Sequence, residues 1–238
     1  MFNPDITAVM VTGKTPARYP LARSAVQSFV AQEYAGRKLL LIINDNPVPL
    51  YEDIQMIPKD VVELAIHSPH KLTLGALRNI AFDHADQAGY MVQWDDDDYS
   101  APGRLQYQIN NTPEGTATVL RWQTQFDLRT GKCFAGCGRE SRVHGFAGTM
   151  LFPVSTKARF TQKPKGEDTD FLVALSRERK LNVLSNAPTD FLHFCHLNNT
   201  WHPEHVMRRR RGSRDLSAAE LEIVRNIVRK QYTWAGVA

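Results

Sequence analysis

The stretch QWDDDDYS, residues 93–100, sets four consecutive aspartates directly behind the short apolar run YMV. Neighbouring carboxylates repel one another unless water or a cation compensates their charge. In open α/β sheets, ligands bind outside the carboxyl ends of the strands, and these aspartates follow such an end. Mg²⁺ and Mn²⁺ prefer oxygen ligands and are often held by one or two carboxylates together with substrate phosphates. The stretch therefore favours a site for a metal ion and a diphosphate; the alternative is an acidic turn surrounded by water.

Two different pairs of these aspartates could hold the ion. Side chains two residues apart in an extended segment point the same way, so Asp95 with Asp97, or Asp96 with Asp98, could share it. The sequence leaves both pairings open.

Upstream of the aspartates, apolar runs typical of buried strands alternate with segments of helical spacing. The runs ITAVMVTG, KLLLIIND, VVELAI and YMVQW predict strands at 6–13, 38–45, 61–66 and 90–94. Recurring apolar positions predict helices over 21–32 and 77–85. This alternation predicts an α/β fold with an open, mostly parallel sheet flanked by helices.

In the second half of the chain the apolar segments are shorter. Short apolar segments predict strands at 118–122, 124–128 and 148–154, and a helix is expected over 168–180. Ser217 with Glu220 forms a capping-box pattern before a final amphipathic helix. We therefore divide the chain into residues 1–100, residues 101–205 as the second half of the same domain, and a basic segment with a C-terminal helix at 206–238.

Composition narrows the class of protein. The chain has 238 residues, of which 42% are hydrophobic and 23% charged, which suits one large α/β domain or two small ones. No apolar run approaches the ~20 residues of a membrane-spanning helix, and the N-terminus does not resemble a secretory signal. Three cysteines are few and odd in number, which fits a reducing compartment. These features predict a soluble, cytoplasmic protein.

Several segments together resemble the family 2 glycosyltransferases of the GT-A fold. ITAVMVTGKTP is similar to that family's first strand and nucleotide loop, and LLIINDNP to its second strand with an acidic end. GALRNIAFDHADQAGYMVQWDDDDYSAPGRL resembles the helix, strand and DXD segment. KGEDTDFLVAL resembles the acceptor-side ED motif, and FCHLNNTW the late histidine segment. The resemblance covers residues 6 to about 200, and it implies a GT-A fold with a nucleotide-sugar-binding first half.

The resemblance also implies the chemistry and the residues that carry it. The donor would be a nucleotide-diphosphate sugar, with a UDP-sugar favoured, its diphosphate would bind Mn²⁺ or Mg²⁺, and transfer would invert the anomeric carbon. Donor-binding residues would be Thr12, Asp45, Arg78, Asp95 and Asp96. Metal ligands would be Asp97, Asp98 and His196, with the register of the aspartates ambiguous by one.

A group that accepts the proton of the attacking hydroxyl is also required. By its match to the ED motif, Asp168 would be this catalytic base, with Glu167 beside it. Acidic residues in the first turn of a helix commonly serve only to cap it, and the local pattern by itself does not separate the two roles.

Three further features remain open. Trp201, among polar residues, is a candidate ligand or acceptor contact, and so are Arg209 and Arg210 in the run VMRRRRGSR. That run fits a solvated basic loop, a flap that closes over the donor diphosphate, or a surface for a polyanionic acceptor such as nucleic acid. The cysteines with the segment HFCH could be drawn as a zinc site, but their spacings do not repeat a zinc finger.

The sequence therefore predicts a metal-dependent, inverting glycosyltransferase that moves a hexosyl or similar sugar to an acceptor hydroxyl. The acceptor itself is not indicated by the sequence. Two alternatives remain, a nucleotidyltransferase on a similar fold and a non-catalytic module that binds polyanions through its arginines.

Overall fold

A seven-stranded sheet forms the centre of the protein. The computed structural model describes residues 3–13, 18–44, 62–68, 72–85, 89–138, 145–197, 199, 202–208 and 212–234. The central sheet has the order β10-β6-β9-β4-β1-β2-β3. Its strands are β1 (Ile6–Gly13), β2 (Arg37–Asn44), β3 (Val62–Ser68), β4 (Tyr90–Gln93), β6 (Ala117–Leu120), β9 (Leu151–Pro153) and β10 (Leu181–Leu184). All neighbouring strands in this sheet pair in parallel except β9, which runs antiparallel to β4 and β6.

Helices pack against this sheet and the second sheet described below, and they carry several of the site residues. They are α1 (Tyr19–Val30), α2 (Leu74–His84), α3 (Arg104–Asn110), α4 (Glu167–Glu178), α5 (Pro203–Arg208) and α6 (Ala218–Trp234). Short 3-10 helices span Ala147–Thr149 and Pro188–Asp190. The expected α/β fold with an open, mostly parallel sheet is confirmed.

Both faces of the central sheet are buried at β1, which explains the unbroken apolar run of this strand. Met10 faces the cluster that contains Phe29 of α1 and Trp94, whereas Val9 faces the cluster that contains Phe82 of α2 and Phe171 of α4. A strand covered on both sides needs apolar residues at every position rather than at alternate ones.

A second, four-stranded sheet lies beside the first in the order β5-β11-β7-β8. Its strands are β5 (Asp98–Ser100), β7 (Trp122–Asp127), β8 (Cys133–Cys137) and β11 (Phe191–Cys195). Helix α6 packs on it through Val224, which is fully buried with Phe126 and Phe194. The predicted capping box begins this helix, because the Ser217 N–H donates to Glu220 Oε2 at 2.8 Å and the Glu220 N–H donates to Ser217 Oγ at 3.3 Å.

Two sequence predictions differ from the structure in the second half. The predicted strand at 148–154 is shorter, because Ala147–Thr149 form a 3-10 turn that reverses the chain before β9. Strands β5, β8, β10 and β11 and helix α3 were not predicted, because short segments carry too few residues for a periodic pattern. Among the described residues, no helix is long and apolar enough to cross a membrane.

Candidate active site

A cavity of about 330 Å³ lies at the carboxyl edge of the central sheet, where β1 and β4 end. Its volume is in the range of small-molecule sites. Acidic groups from two parts of the chain line it, with basic and polar groups between them. The lining residues are Val11, Thr12, Gly13, Arg18, Leu74, Leu77, Arg78, Asp95, Asp96, Asp97, Gly166, Glu167, Asp168, His193 and Asn199.

Helix α2 delivers Arg78 to this cavity. The helix begins at the N-cap Thr73, whose hydroxyl accepts the Ala76 N–H at 3.2 Å. Leu74, Leu77 and Arg78 all line the cavity, because residues three and four apart share one face of a helix. The sequence pattern of α2 thus places a single cation at the edge of the sheet.

Arg78 joins the first aspartate to helix α4. Its Nη2 donates to Asp95 Oδ1 and its Nη1 to Glu167 Oε1, both at 2.8 Å. Gln93 Nε2 also donates to both oxygens of Asp95, at 3.1 and 3.2 Å. Burial raises the pKa of Asp95 and of Glu167, and Arg78 acts against that rise in both groups. One buried guanidinium therefore compensates two carboxylates that are distant in the sequence.

Arg18 compensates the next two aspartates, Asp96 and Asp97, in the same way. It stands at the N-cap of α1, and its Nη2 donates to Asp97 Oδ2 at 2.9 Å and contacts Asp96 Oδ1. Its Nε lies 3.3 Å from Asp96 Oδ2. Burial acts to raise the pKa of Asp97, but Arg18, His196 and His193 together hold it well below its usual range. Burial raises the pKa of Asp96, against the effect of Arg18.

The carboxylate of Asp97 collects donors from the late histidine segment as well. His196 Nε2 lies 3.1 Å from Asp97 Oδ2, and Asn199 Nδ2 donates to the same oxygen at 3.1 Å. Asn199 Oδ1 in turn accepts the backbone N–H of His196, which ties the Asn199 side chain to the main chain at His196. Three donors thus converge on one oxygen from segments that are about 80 and 100 positions away.

The chemistry of this donor set fits a hard divalent cation. An aspartate oxygen and an imidazole nitrogen already face each other, and both are ligands that Mn²⁺ accepts. No three Asp, Glu, His or Cys side chains form a complete cage within the described parts of the chain. Protein sites for Mg²⁺ and related ions are usually partial, because substrate phosphates supply the remaining oxygens.

Asp98 has a different environment from its three neighbours. It begins β5, which pairs antiparallel with β11, so that Asp98 stands opposite His193. His193 Nδ1 lies 3.0 Å from Asp98 Oδ1, and the Phe194 N–H donates to the same oxygen at 3.2 Å. Although burial acts to lower the pKa of His193, Asp98 raises it well above its ordinary value. His193 lines the cavity, whereas Asp98 is not among the lining residues and contacts this imidazole from behind the cavity wall.

The second acidic group lies at the start of α4. Gly166, in the left-handed region with φ 76°, turns the chain into the helix. Glu167 is 5% exposed and faces Arg78, whereas Asp168 is half-buried on the cavity wall and accepts the Thr169 N–H at 2.7 Å. Asp170 points elsewhere, to Lys163 and Thr161. The structure thus gives the three acids of this turn different surroundings.

Other predicted site residues have varied positions. Thr12 is 2% exposed at the end of β1 beside Asp96, and its hydroxyl makes no hydrogen bond of ordinary geometry to the described residues. Asp45, Trp201, Arg209 and Arg210 lie outside the described residues.

Sequence reasoning missed several residues of the site. Arg18 directly precedes α1, and nothing local indicates that it reaches the aspartates 78 and 79 positions later. Gly148 was missed too: a Cβ at this position would lie 2.9 Å from Asp95 Oδ2. His193, in the segment HFCH, was not predicted to contact the aspartates, and its partner in the structure is Asp98.

Comparisons with known proteins identify the architecture. No family model and no curated protein matches the sequence. Among solved structures, S. aureus TarS 1-349 in complex with UDP-GlcNAc superposes with a TM-score of 0.64 at 12% identity, over 84% of this chain and 60% of that one. The same protein in complex with UDP gives 0.63 at 13% identity, over 96% and 72%.

The mannosyltransferase PcManGT from Pyrobaculum calidifontis, in complex with GDP-Man and Mn²⁺, gives a TM-score of 0.61 at 12% identity, over 88% of this chain and 61% of that one. The chain spans about 60% of the length of the TarS 1-349 structure. These likenesses show the fold: the chain has the GT-A-like architecture of glycosyltransferases, as its sequence motifs predicted.

Proposed function

We propose that this protein is a divalent-metal-dependent, inverting glycosyltransferase that uses a nucleotide-diphosphate sugar, with a UDP-sugar favoured. One observation carries the proposal: a GT-A-like fold gathers Asp95–Asp97, two arginines and Asp168 around one cavity at the carboxyl edge of its sheet. In open α/β sheets this edge is the usual place for a nucleotide ligand. Structural neighbours with bound UDP-GlcNAc and GDP-Man support the donor class.

The donor diphosphate would lie against the aspartate side of the cavity. Asp97 and His196 would hold Mn²⁺ or Mg²⁺, and the ion would neutralise charge that grows on the departing diphosphate. The neighbour with GDP-Man and Mn²⁺ supports this cofactor. Asp95, held by Arg78 and Gln93, would face the ribose or the sugar, and Thr12 would offer its hydroxyl to the nucleotide.

Asp168 is the group best placed to act as the base. Glu167 is engaged by Arg78, so its carboxylate positions the arginine rather than the acceptor. Asp168 would take the proton of the acceptor hydroxyl while that oxygen forms a bond to the anomeric carbon. The bond from this carbon to the diphosphate oxygen breaks, and the nucleoside diphosphate leaves with the electron pair. A single displacement of this kind inverts the anomeric configuration.

The arrangement also suggests how the chain is divided. Residues 1–100 would bind the nucleotide, residues 101–205 would form the acceptor side, and residues 206–238 would support the second sheet through α6. The three cysteines are free thiols, and we propose a reducing, cytoplasmic location on that basis.

The first test identifies the donor and the product. The purified chain is incubated with UDP-, GDP-, CDP- and dTDP-sugars, with Mn²⁺ or with EDTA, and released nucleotide is quantified by chromatography. Metal-dependent release of a nucleoside diphosphate supports glycosyl transfer, whereas pyrophosphate would indicate a nucleotidyltransferase. NMR of the released sugar or product reports whether the anomeric configuration is inverted.

The second test addresses the base. Asp168→Asn should leave UDP affinity unchanged and reduce turnover by ~10²-fold or more, because a general base contributes about that much. Asp170→Asn is the matched control, since it removes a carboxylate two positions away that pairs with Lys163 outside the cavity. Equal turnover of the Asp168 variant and the control would leave Asp168 as a residue of the helix start and no more.

A further inference from the structure

Arg18 occupies the position at which a cation would meet Asp97. Its guanidinium is one of three donors to Asp97 Oδ2, together with His196 Nε2 and Asn199 Nδ2. The same guanidinium also contacts Asp96 through two of its nitrogens. A planar guanidinium binds carboxylates in this forked way, and its charge is permanent.

A divalent ion and this guanidinium compete for the same charge. Both are cations, and each gains from the carboxylate of Asp97, so binding of one repels the other. Arg18 lines the same cavity in which a diphosphate would lie, so a second anionic partner would be within the same space. Arginine forms bidentate hydrogen bonds with phosphate as readily as with carboxylate.

We propose that Arg18 is an exchangeable counter-ion: it holds Asp97 before the metal binds, and the arriving Mn²⁺ or Mg²⁺ displaces it onto the donor diphosphate. The inference rests on the proposed function and adds a binding residue to it. Arg18 keeps the aspartates compensated without metal, and afterwards it contributes positive charge to the leaving group. Metal and nucleotide therefore bind cooperatively, because the ion releases the arginine that the nucleotide needs.

The exchange predicts opposite effects of one substitution on two ligands. In Arg18→Gln, calorimetry without nucleotide should show Mn²⁺ binding roughly tenfold or more tighter than in the wild type, because the competitor is gone. UDP binding at saturating Mn²⁺ should be weaker by a similar factor. Arg23→Gln, on the exposed side of the same helix, is the matched control and should change neither affinity.

A wild-type measurement covers the case in which Arg18→Gln does not fold. Phenylglyoxal modifies accessible guanidinium groups, and peptide mass spectrometry reports the rate at Arg18. The rate should rise when Mn²⁺ is added without nucleotide and fall again when UDP is added.

The outcomes separate this inference from the proposed function. Unchanged or weaker Mn²⁺ binding in Arg18→Gln, or an Arg18 modification rate that ignores Mn²⁺, overturns the exchange even if the enzyme transfers sugar. Wild-type turnover in EDTA that is lost in Arg18→Gln also overturns it, because Arg18 would then replace the metal. Failure of every donor in the turnover assay rejects the proposed function, while the Mn²⁺ titration still decides the exchange.

Discussion

Substituting Arg78 with glutamine should be among the most destabilising single changes in the cavity wall. Arg78 is 6% exposed and makes 2.8 Å ion pairs with Glu167, which is also buried, and with Asp95, whose side chain is 26% exposed. It also lies 5.5 Å from the centre of the Phe160 ring. Glutamine can replace a hydrogen bond, but it supplies no charge, so two carboxylates lose their counter-ion at once.

The size of the effect follows from the burial of these groups. Removing one partner of a buried ion pair typically costs about 3–5 kcal/mol, because the other charge stays buried without compensation. Gln93 continues to hold Asp95, so we expect about 4 kcal/mol rather than twice that amount. For a chain of this size, about 2–4 °C of melting temperature is lost per kcal/mol, which gives a loss of about 8–16 °C.

A double-substitution cycle by thermal and urea unfolding tests this reasoning. Adding Glu167→Gln to Arg78→Gln removes one of the carboxylates that lost its counter-ion. This should restore about 1–2 kcal/mol of the free energy of unfolding. Arg159→Gln is the control: Arg159 is exposed, lies 4.0 Å from the Phe82 ring centre and pairs with carbonyls, and its loss should cost about 1 kcal/mol or less. Two results would refute the reasoning that Arg78 compensates both carboxylates: a melting temperature of Arg78→Gln within ~2 °C of the wild type, or strictly additive losses in the cycle.

Three other substitutions probe separate parts of the structure. Gly148→Ala should weaken UDP-sugar affinity ~10-fold while the fold persists, because the new Cβ would meet Asp95 Oδ2 at 2.9 Å and move it; unaltered affinity in calorimetry would contradict this. Asp97→Asn should abolish the dependence of UDP affinity on Mn²⁺, and a metal response equal to that of the wild type would reject its role as ligand. Hydrogen bonds from Arg214 hold the pKa of Glu220 at about 2, below its ordinary ~4.3, so its contribution is complete above pH ~5 and is lost as the pH falls through 2. Glu220→Gln should therefore cost about 1 kcal/mol in urea unfolding at pH 7, and the difference from the wild type should shrink by pH 2.5; a constant difference would disprove it.

Much of the fold could be predicted from local pattern. The buried strands β1 and β4 can be recognised as unbroken apolar runs, because strands covered on both faces have no polar side. Helix α4 was predicted within about two residues from Phe171, Leu172 and Leu175, which are fully buried. Strands β5, β10 and β11 lack such patterns and pair with partners far along the chain, whereas the short strand β8 pairs with its neighbour β7.

The partners of Asp95–Asp98 could not be predicted from the local sequence pattern. An extended segment would have paired alternate aspartates, but β4 ends at Gln93 and Asp96–Asp97 form a turn. Asp96 and Asp97 therefore share Arg18. Asp98 is the first residue of the next strand, β5, and its side chain contacts His193.

The sequence by itself determined the class of fold and the carboxyl edge at which charge would gather, because both depend on the order of apolar runs and on which residues follow them. The tertiary structure decided which cation compensates which carboxylate: Arg78 for Asp95 and Arg18 for Asp96 and Asp97. These partners come from separate elements whose ends meet only when the sheet and its helices have packed. Coulombic attraction depends on the distance between two charges in space, and this distance cannot be read from their positions along the chain.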